Sequence, residues 1–442
     1  MIIEAAVTND ALAGTLKRKM LYGRLGGAQG RRAEKERRLK VTGMPDRDGF
    51  FSKPPHPLTG FGALLRLLFL TLFRARGTAA RYTLKRFFVV VFFLPFFLLA
   101  QAAHRLALAL DNVFFPAFRT VEVRDPVFIV GIHRSGTTYF HHLLSEDTEN
   151  FTSFRLWELL FAPSILERKF WFAVGAVDRL LGAWGRKALV AIEDRLLKDL
   201  RVIHQTGLFE PEEDELVLVP YFASAFLLLP FPFPEKLWAL TRFDVDVPLA
   251  EQDRVMRHYK QCVQRHLYVH GSDKRFLSKN PLFSAKIEAI RRTFPDARVI
   301  CNVRQPYEAI PSCISLMSFY WSSFDNDPQG SRLRDMTLAM TDFFYRHPIQ
   351  RLPRWPRNRH AFLKYDRLIA APGDAVLELY ARLDIPLTPA FDAYLQTQEE
   401  RMRAFKSRHH YSLERWGLSP ERIRTDYGDV FEYFGFNTDH AA

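Results

Sequence analysis

The apolar and polar positions of this chain follow two regimes that change near residue 116. Before it, residues 49–110 contain no Asp or Glu, and two apolar blocks stand out. One covers 61–73 and is interrupted only by Arg66; the other covers 87–100 and carries Pro95 in its middle. A helix that crosses a bilayer needs about 20 apolar residues, so blocks of this length predict buried or interfacial helices. After residue 116, short apolar strands alternate with stretches of helical spacing. Val127, Phe128, Ile129 and Val130 lie between Pro126 and Gly131, too short a run for a helix. Strand signals return at 275–278, 298–303 and 361–364, each followed by helix-like sequence. From about 158 to 271 the spacing is mostly helical, and Val174, Val177, Leu181 and Trp184 share one face. Alternating strands and helices predict an α/β fold, a parallel sheet flanked by helices, behind an N-terminal apolar helical extension.

Composition refines this partition. The chain has 442 residues, 48% hydrophobic and 25% charged, a globular balance that builds a core without staples. Residues 1–50 are polar and basic, with Arg31, Arg32, Lys35, Arg37, Arg38 and Lys40 close together, and read as a mobile, solvated tail. Residues 51–118 form the apolar segment, and 119–442 the α/β domain, with a helical insertion over about 151–270. Phenylalanine is unusually frequent, at forty residues, and a net charge of +13 suits an anionic small ligand, an anionic membrane surface or nucleic acid. A hairpin of two spans would put Arg74, Arg76, Arg81, Lys85 and Arg86 outside, against the positive-inside tendency. Helices lying in the interface, arginines toward headgroups and phenylalanines toward acyl chains, meet both demands. The three cysteines, Cys262, Cys301 and Cys313, lack disulfide or zinc spacing and imply a reducing compartment. With no apolar secretory stretch near Met1, the expected location is cytoplasmic, on the inner face of a membrane. No aromatic-and-basic recognition motif supports nucleic-acid binding.

Candidate chemistry begins after the first strand. Residues 127–138 read V-F-I-V-G-I-H-R-S-G-T-T. A strand, a glycine-containing loop and a helix start make an anion site, because amides at the helix start point at the ligand and the helix dipole favours negative charge. Gly131 and Gly136 let the backbone come close, and Thr137 and Thr138 offer hydroxyls. The Walker pattern has a lysine where this chain has Thr137; the loop's own cation is Arg134. No apolar strand ending in Asp follows to hold Mg²⁺. The loop therefore suits a phosphate that carries no metal. A kinase-like phosphotransferase is disfavoured on the same ground; an inactive membrane-bound nucleotide-binding scaffold is the other reading.

A second motif lies some 170 residues on. Residues 299–306 read V-I-C-N-V-R-Q-P, and Ser312 is eight residues after Arg304. An arginine at the C-terminal end of a strand grips a phosphate bidentately. Pro306 suits a first helical turn, and Ser312 then falls about two turns along.

Together these motifs resemble the sulfotransferases that use 3′-phosphoadenylyl sulfate, in particular their bacterial branch, related to the tyrosylprotein and carbohydrate enzymes. The family's 5′-phosphate loop is a strand followed by P-[KR]-S-G-T-T, matched by Arg134-Ser135-Gly136-Thr137-Thr138 with His133 in place of the usual Pro. Its 3′-phosphate site is a strand-ending Arg, a Pro and a Ser eight residues after the Arg, matched at Arg304, Pro306 and Ser312. Phe276-Leu-Ser-Lys279-Asn-Pro281 resembles the segment with a strand-ending lysine, and Leu363-Lys-Tyr365-Asp the segment near the adenine. The stretch from Arg408 through His410 to Gly417 resembles the basic C-terminal loop of the bacterial members. The resemblance covers about 120–435. It implies a P-loop NTPase-like fold, 3′-phosphoadenylyl sulfate as co-substrate and no metal.

Sulfuryl transfer to a hydroxyl resembles phosphoryl transfer, so catalysis is positioning plus charge stabilisation. Arg134 and Lys279 are the candidates for the charge on the leaving oxygen. The base is a separate question. Cytosolic members of the family place a His two residues after the lysine, where this chain has Pro281, so a carboxylate is expected instead. Glu158 follows the loop helix as a Glu does in the tyrosylprotein branch and is preferred. Glu213, in the cluster Glu210-Pro-Glu-Glu-Asp-Glu215, is the rival, because clustered carboxylates raise one another's pKa. His133 is a lesser candidate. The acceptor is a small or lipid-linked hydroxyl compound: carbohydrate, lipid or glycolipid. Residues 221–233, Y-F-A-S-A-F-L-L-L-P-F-P-F, suit either a lipid pocket or plain core.

Overall fold

The computed structural model describes residues 60–74, 80, 83–196, 206–233, 237–324, 326, 331–403 and 412–438. The basic stretch 1–50 and His410 lie outside the described residues.

Five strands are present among them: β1 Val127–Gly131, β2 Phe151–Thr152, β3 Arg275–Lys279, β4 Arg298–Val303 and β5 His360–Lys364. All pairings are parallel, in the order β2-β3-β1-β4-β5. β1 takes the centre because it is apolar on both faces, and all five of its residues are buried. β2 and β3 lie to one side of it, β4 and β5 to the other. Open α/β sheets bind ligands in the crevice beyond the strand ends at such a reversal.

The helices that matter to the site are α1 Phe61–Phe73, α2 Leu84–Phe114, α3 Thr137–Ser145, α4 Leu156–Phe161, α5 Ile165–Leu180, α6 Trp184–Leu196, α7 Leu249–His270, α8 Pro306–Ser323, α9 Ser331–Arg351 and α10 Pro372–Leu383. On one side of the sheet, Ile129, Ile300 and Leu363 pack with Phe140 and Leu144 of α3 and Val376 of α10. Between α6 and α7 the described residues form 3₁₀ turns, at Asp214–Leu218, Ala225–Leu228 and Trp238–Arg242, where the spacing predicted helix. The face expected along Val174, Val177, Leu181 and Trp184 is broken at Gly182, and these side chains are exposed rather than packed.

The second apolar block also departs from expectation. It is not confined to 87–100 but belongs to α2, a continuous helix of 31 residues. A π turn over Val89–Phe93 lets it pass Pro95: the Leu94 amide donates to the Val89 carbonyl five residues back, and the proline falls at the start of the next α-helical segment. By length and apolarity α2 is able to cross a membrane. Contacts near both of its ends tie it to the domain. Arg86 Nη2 donates to the Pro230 carbonyl at 3.0 Å, and Arg105 Nε to the Pro220 carbonyl. Near its end, the Asp111 carboxylate takes Arg265 Nε at 2.9 Å and the amides of Ile165 and Leu166. A helix held at both ends lies along the domain and leaves its other face outward.

Candidate active site

The loop after β1 is shaped by three backbone conformations. Gly131 has φ 129°, and a Cβ there would sit 2.0 Å from the Asn302 carbonyl oxygen of β4, so only glycine fits. Arg134 and Gly136 are left-handed, at φ 70° and 78°. Ser135 is fully buried and donates from Oγ to the Ile132 carbonyl at 2.6 Å, so its hydroxyl braces the loop from within. No side chain caps α3 at Gly136. The first-turn amides of α3 have no carbonyl one turn back and are left for an anion.

Because β4 is the direct neighbour of β1, its C-terminal end reaches this loop. Arg134 Nε donates to Ser312 Oγ at 3.0 Å, and Arg304 Nη1 donates to the Arg134 carbonyl at 3.1 Å. Arg304 is itself held: Glu308 Oε2 accepts from its Nη2 at 2.5 Å, and its carbonyl accepts from the Tyr345 hydroxyl at 2.5 Å. Tyr365, first in the helix after β5, lies with its ring 3.0 Å from where a Gly136 Cβ would stand, and the Arg304 guanidinium sits 4.2 Å from the ring centroid. The two motifs read separately in the sequence thus form one patch, hydrogen-bonded through Arg134, Ser312 and Arg304, with the Tyr365 ring packed against Arg304 and Gly136.

β3 flanks β1 on the other side and pairs Lys279 with Ile129. Lys279 is fully buried, with Nζ 3.1 Å from Glu213 Oε1, 3.3 Å from Glu212 Oε1 and 3.4 Å from Thr138 Oγ1. Burial alone would lower its pKa; Glu213 and then Glu212 outweigh it and raise the pKa above the ordinary lysine value. Lys279 is therefore a charged group at the loop's edge. Glu212 also accepts from Thr206 Oγ1 at 2.6 Å and from the Glu213 amide at 2.9 Å. Glu213 faces a cavity of about 760 Å³, solvent space included, whose walls include Phe226, Leu229, Trp238, Trp321 and Met336. Tyr320 and His133 line it as well. Burial, then the charges of Glu213 and Glu212, push the Tyr320 phenol up. His133 stacks on Phe344 with centroids 5.8 Å apart.

Glu158 is placed differently from the expectation. It sits at the third position of α4, fully buried, and its Oε2 accepts from the Arg155 amide at 2.9 Å. Its Oε1 lies 2.7 Å from His270 Nε2, 3.2 Å from Arg168 Nε and 3.7 Å from His266 Nδ1. Burial alone would raise its pKa, but Arg168 and then His266 outweigh it and hold the carboxyl well below the usual range. A carboxylate whose charge is held this firmly is a poor proton acceptor. The structure does not bring Glu158 to Lys279; it gives the lysine to Glu213 and Glu212. Ligand atoms of Glu158, His266 and His270 lie within 4.8 Å of one another, as in a metal site. The Arg168 guanidinium against the same oxygen opposes a second cation there.

Sequence reasoning named the Glu210–Glu215 cluster without resolving which members meet Lys279, and it missed the α8 and α9 walls of the cavity. The partner choice is a long-range fact with no local signal.

The family model described as Sulfotransferase family matches residues 126–389. Two relatives, the omega-hydroxy-beta-dihydromenaquinone-9 sulfotransferases Stf3 of Mycobacterium bovis and Mycobacterium tuberculosis, are each 26% identical over 329 residues, 72% of this chain and 77% of theirs. Among solved structures, sulfotransferase STF1 from Mycobacterium tuberculosis matches with a TM-score of 0.60 at 18% identity, covering 89% of this chain and 98% of that one. Sulfotransferase STF9 from Mycobacterium avium matches with a TM-score of 0.60 at 17% identity, covering 90% and 95%. At these identities the two structures speak for the fold.

Proposed function

The chain belongs to the sulfotransferase family, and we propose that it moves a sulfuryl group from 3′-phosphoadenylyl sulfate to the hydroxyl of a lipid-type acceptor. The observation that carries this reading is the bond network joining Arg134, Ser312 and Arg304, beside a Lys279–Glu213 pair that opens on an apolar cavity.

In this reading the first-turn amides of α3, with Thr137 and Thr138, hold the 5′-phosphate end of the donor. Arg304 and Ser312 take the 3′-phosphate, and Tyr365 packs beside the adenine. The acceptor oxygen bonds to sulfur as the bond from sulfur to the phosphate oxygen breaks. Glu213 takes the hydroxyl proton. Lys279 and Arg134 counter the charge growing on the departing oxygen, leaving adenosine 3′,5′-bisphosphate and a sulfate monoester. Glu212 stays paired with Lys279 when Glu213 is protonated, which keeps the buried ammonium compensated through the step. The scheme routes no step through a metal.

The acceptor class is supported by the cavity and by the relatives. Mostly aromatic and aliphatic walls offer a carbohydrate's many hydroxyls few partners, whereas an apolar chain loses little there. The Mycobacterium relatives are named for a hydroxylated dihydromenaquinone. We place the enzyme peripherally on the cytoplasmic side of a membrane, with the N-terminal helices in the interface. The test is incubation with donor labelled in the sulfuryl group and a membrane lipid extract. A labelled lipid is expected; label passing only to water-soluble carbohydrate, or transfer from ATP with Mg²⁺ in its place, overturns the reading.

A further inference from the structure

The hairpin of α5 and α6 has no role in the chemistry, and its surface is out of keeping with one facing water. Leu180, Leu181 and Trp184 at its tip are 86%, 70% and 73% exposed. Phe170, Trp171 and Val177 of α5 and Ile192 of α6 are also exposed. The turn is built rather than slack. Asp178 Oδ1 and Oδ2 accept from the amides of Gly185 and Arg186 at 2.7 and 3.0 Å, and Gly182 and Ala183 take left-handed φ of 92° and 57°. The side chains are thus presented by a fixed scaffold. Single exposed apolar residues are ordinary, but a fixed contiguous set with two tryptophans marks a surface that something covers.

Charge indicates the cover. Lys169, Arg179, Arg186, Lys187 and Arg195 are exposed on the hairpin against a single exposed carboxylate, Asp194. Lys187 Nζ lies 5.3 Å from the Trp184 ring centroid, and the Arg186 guanidinium 5.6 Å from that of Phe209, so cationic heads sit just above aromatic bodies. That layering matches an anionic lipid interface, where tryptophans seat at headgroup depth and basic heads meet phosphates.

The hairpin also adjoins α2. Its first-turn amides are capped by Asp111 of α2, and His104 Nδ1 lies 2.6 Å from Glu167 Oε1. The outward face of α2 carries Phe87, Phe88, Phe92, Phe96, Leu99 and Leu106, each more than half exposed. The start of α2 is fastened to the cavity's rim: Lys85 Nζ donates to the Ser322 carbonyl at 2.7 Å, and Phe93 packs on Phe324 at 5.3 Å. Ser322 directly follows Trp321 of the cavity wall.

We propose that the α5–α6 hairpin and the outer face of α2 form one docking face for an anionic lipid bilayer, which holds the rim of the acceptor cavity at the membrane. This rests on the lipid-acceptor reading above and deepens it: the acceptor enters from the bilayer rather than from solution.

The test uses the full chain and vesicles of phosphatidylcholine with or without phosphatidylglycerol, with neither donor nor acceptor present, so its outcome is independent of any activity. Co-sedimentation with the anionic vesicles is expected, weakening as salt rises. The variant Phe170→Ser/Trp171→Ser/Leu180→Ser/Trp184→Ser should lose at least about ten-fold in vesicle affinity. Its binding of adenosine 3′,5′-bisphosphate should be unchanged, which also certifies the fold. In the unsubstituted protein, brominated lipid should quench tryptophan fluorescence. Vesicle binding that survives the four substitutions overturns the proposal. So does a dimer by light scattering that the variant splits, since a second copy would then be the cover. Absence of sulfuryl transfer with vesicle binding intact would sink the functional reading and leave this one standing.

Discussion

Two carboxylates, Glu158 fully buried and Glu213 half-buried, separate by the company they keep. Glu213 shares Lys279 with Glu212 and faces the cavity, while Glu158 is locked by Arg168 and two histidines. Glu213→Gln should cut turnover by about 10²–10⁴-fold while the affinity for adenosine 3′,5′-bisphosphate stays put. Glu158→Gln should instead destabilise the fold by roughly 3–5 kcal/mol, because it strands the buried Arg168. Per folded molecule its turnover should persist, as denaturant melts and kcat measured side by side would reveal; the reverse pattern would return the base to Glu158. Arg304→Ala should weaken adenosine 3′,5′-bisphosphate by about ten-fold or more and leave adenosine 5′-phosphate nearly unchanged, measured by calorimetric titration. The form of the 131–138 loop was legible because glycine punctuates it locally: Gly131 and Gly136 both take positive φ. Ser135 was legible by motif only, since its hydroxyl turns inward. The surroundings of Glu158 were not legible, since nothing near it in sequence announces Arg168 or His270 as its partners.

Among the elements, those with a clean period were read correctly and those that depend on context were not. β1 is an uninterrupted apolar run and β4 a mainly apolar one broken at Asn302, and both begin where the pattern placed them. β2 is two residues long and is defined only by its ladder to β3. Pro95 should end a helix, yet a π turn one residue earlier absorbs it. The 3₁₀ turn Asp214–Leu218 is likewise set by context, since Asp214 is fully buried and receives the Tyr259 hydroxyl from α7. Burial, ahead of every other influence, pushes the Asp214 carboxyl up from an ordinary 3.8 to about 7. The folded protein therefore holds a proton that the unfolded chain has released between these values. Stability from this group is full below pH 4 and falls as pH rises through about 7, at up to about 1.4 kcal/mol per pH unit. Urea midpoints at pH 5 and pH 8 should differ more in the unsubstituted protein than in Asp214→Asn. Equal differences in the two proteins would show that Asp214 ionises as freely in the fold as in the unfolded chain.

Across the molecule, the cavity proposed for the acceptor is assembled from parts of the chain that no local pattern connects. Glu213 comes from just before the 3₁₀ turn Asp214–Leu218, Phe226 and Leu229 from the run 221–233, Tyr320 and Trp321 from α8, and Met336 from α9. The run 221–233 left core and pocket open in sequence because it is both: Leu227 and Phe231 are buried, while Phe226 and Leu229 line the cavity. The Arg134–Ser312–Arg304 patch lies beside the cavity, whose wall takes in Glu213 and the loop residue His133, and in the proposed scheme the two halves of the site should fail separately. Ala225 lines the cavity and is itself buried. Ala225→Trp puts an indole into that space and leaves Arg304, Ser312 and Lys279, which are not among the lining residues, unsubstituted. The added bulk competes with the acceptor's apolar chain, whose exclusion costs at least 1–3 kcal/mol for even a small part of its length, or about 10–200-fold in kcat/KM. The affinity for adenosine 3′,5′-bisphosphate should remain within about two-fold, since mutations without shared partners act independently. A loss of nucleotide affinity in step with acceptor kcat/KM would mean that the cavity belongs to the donor, and the acceptor would then have to approach Glu213 from another side.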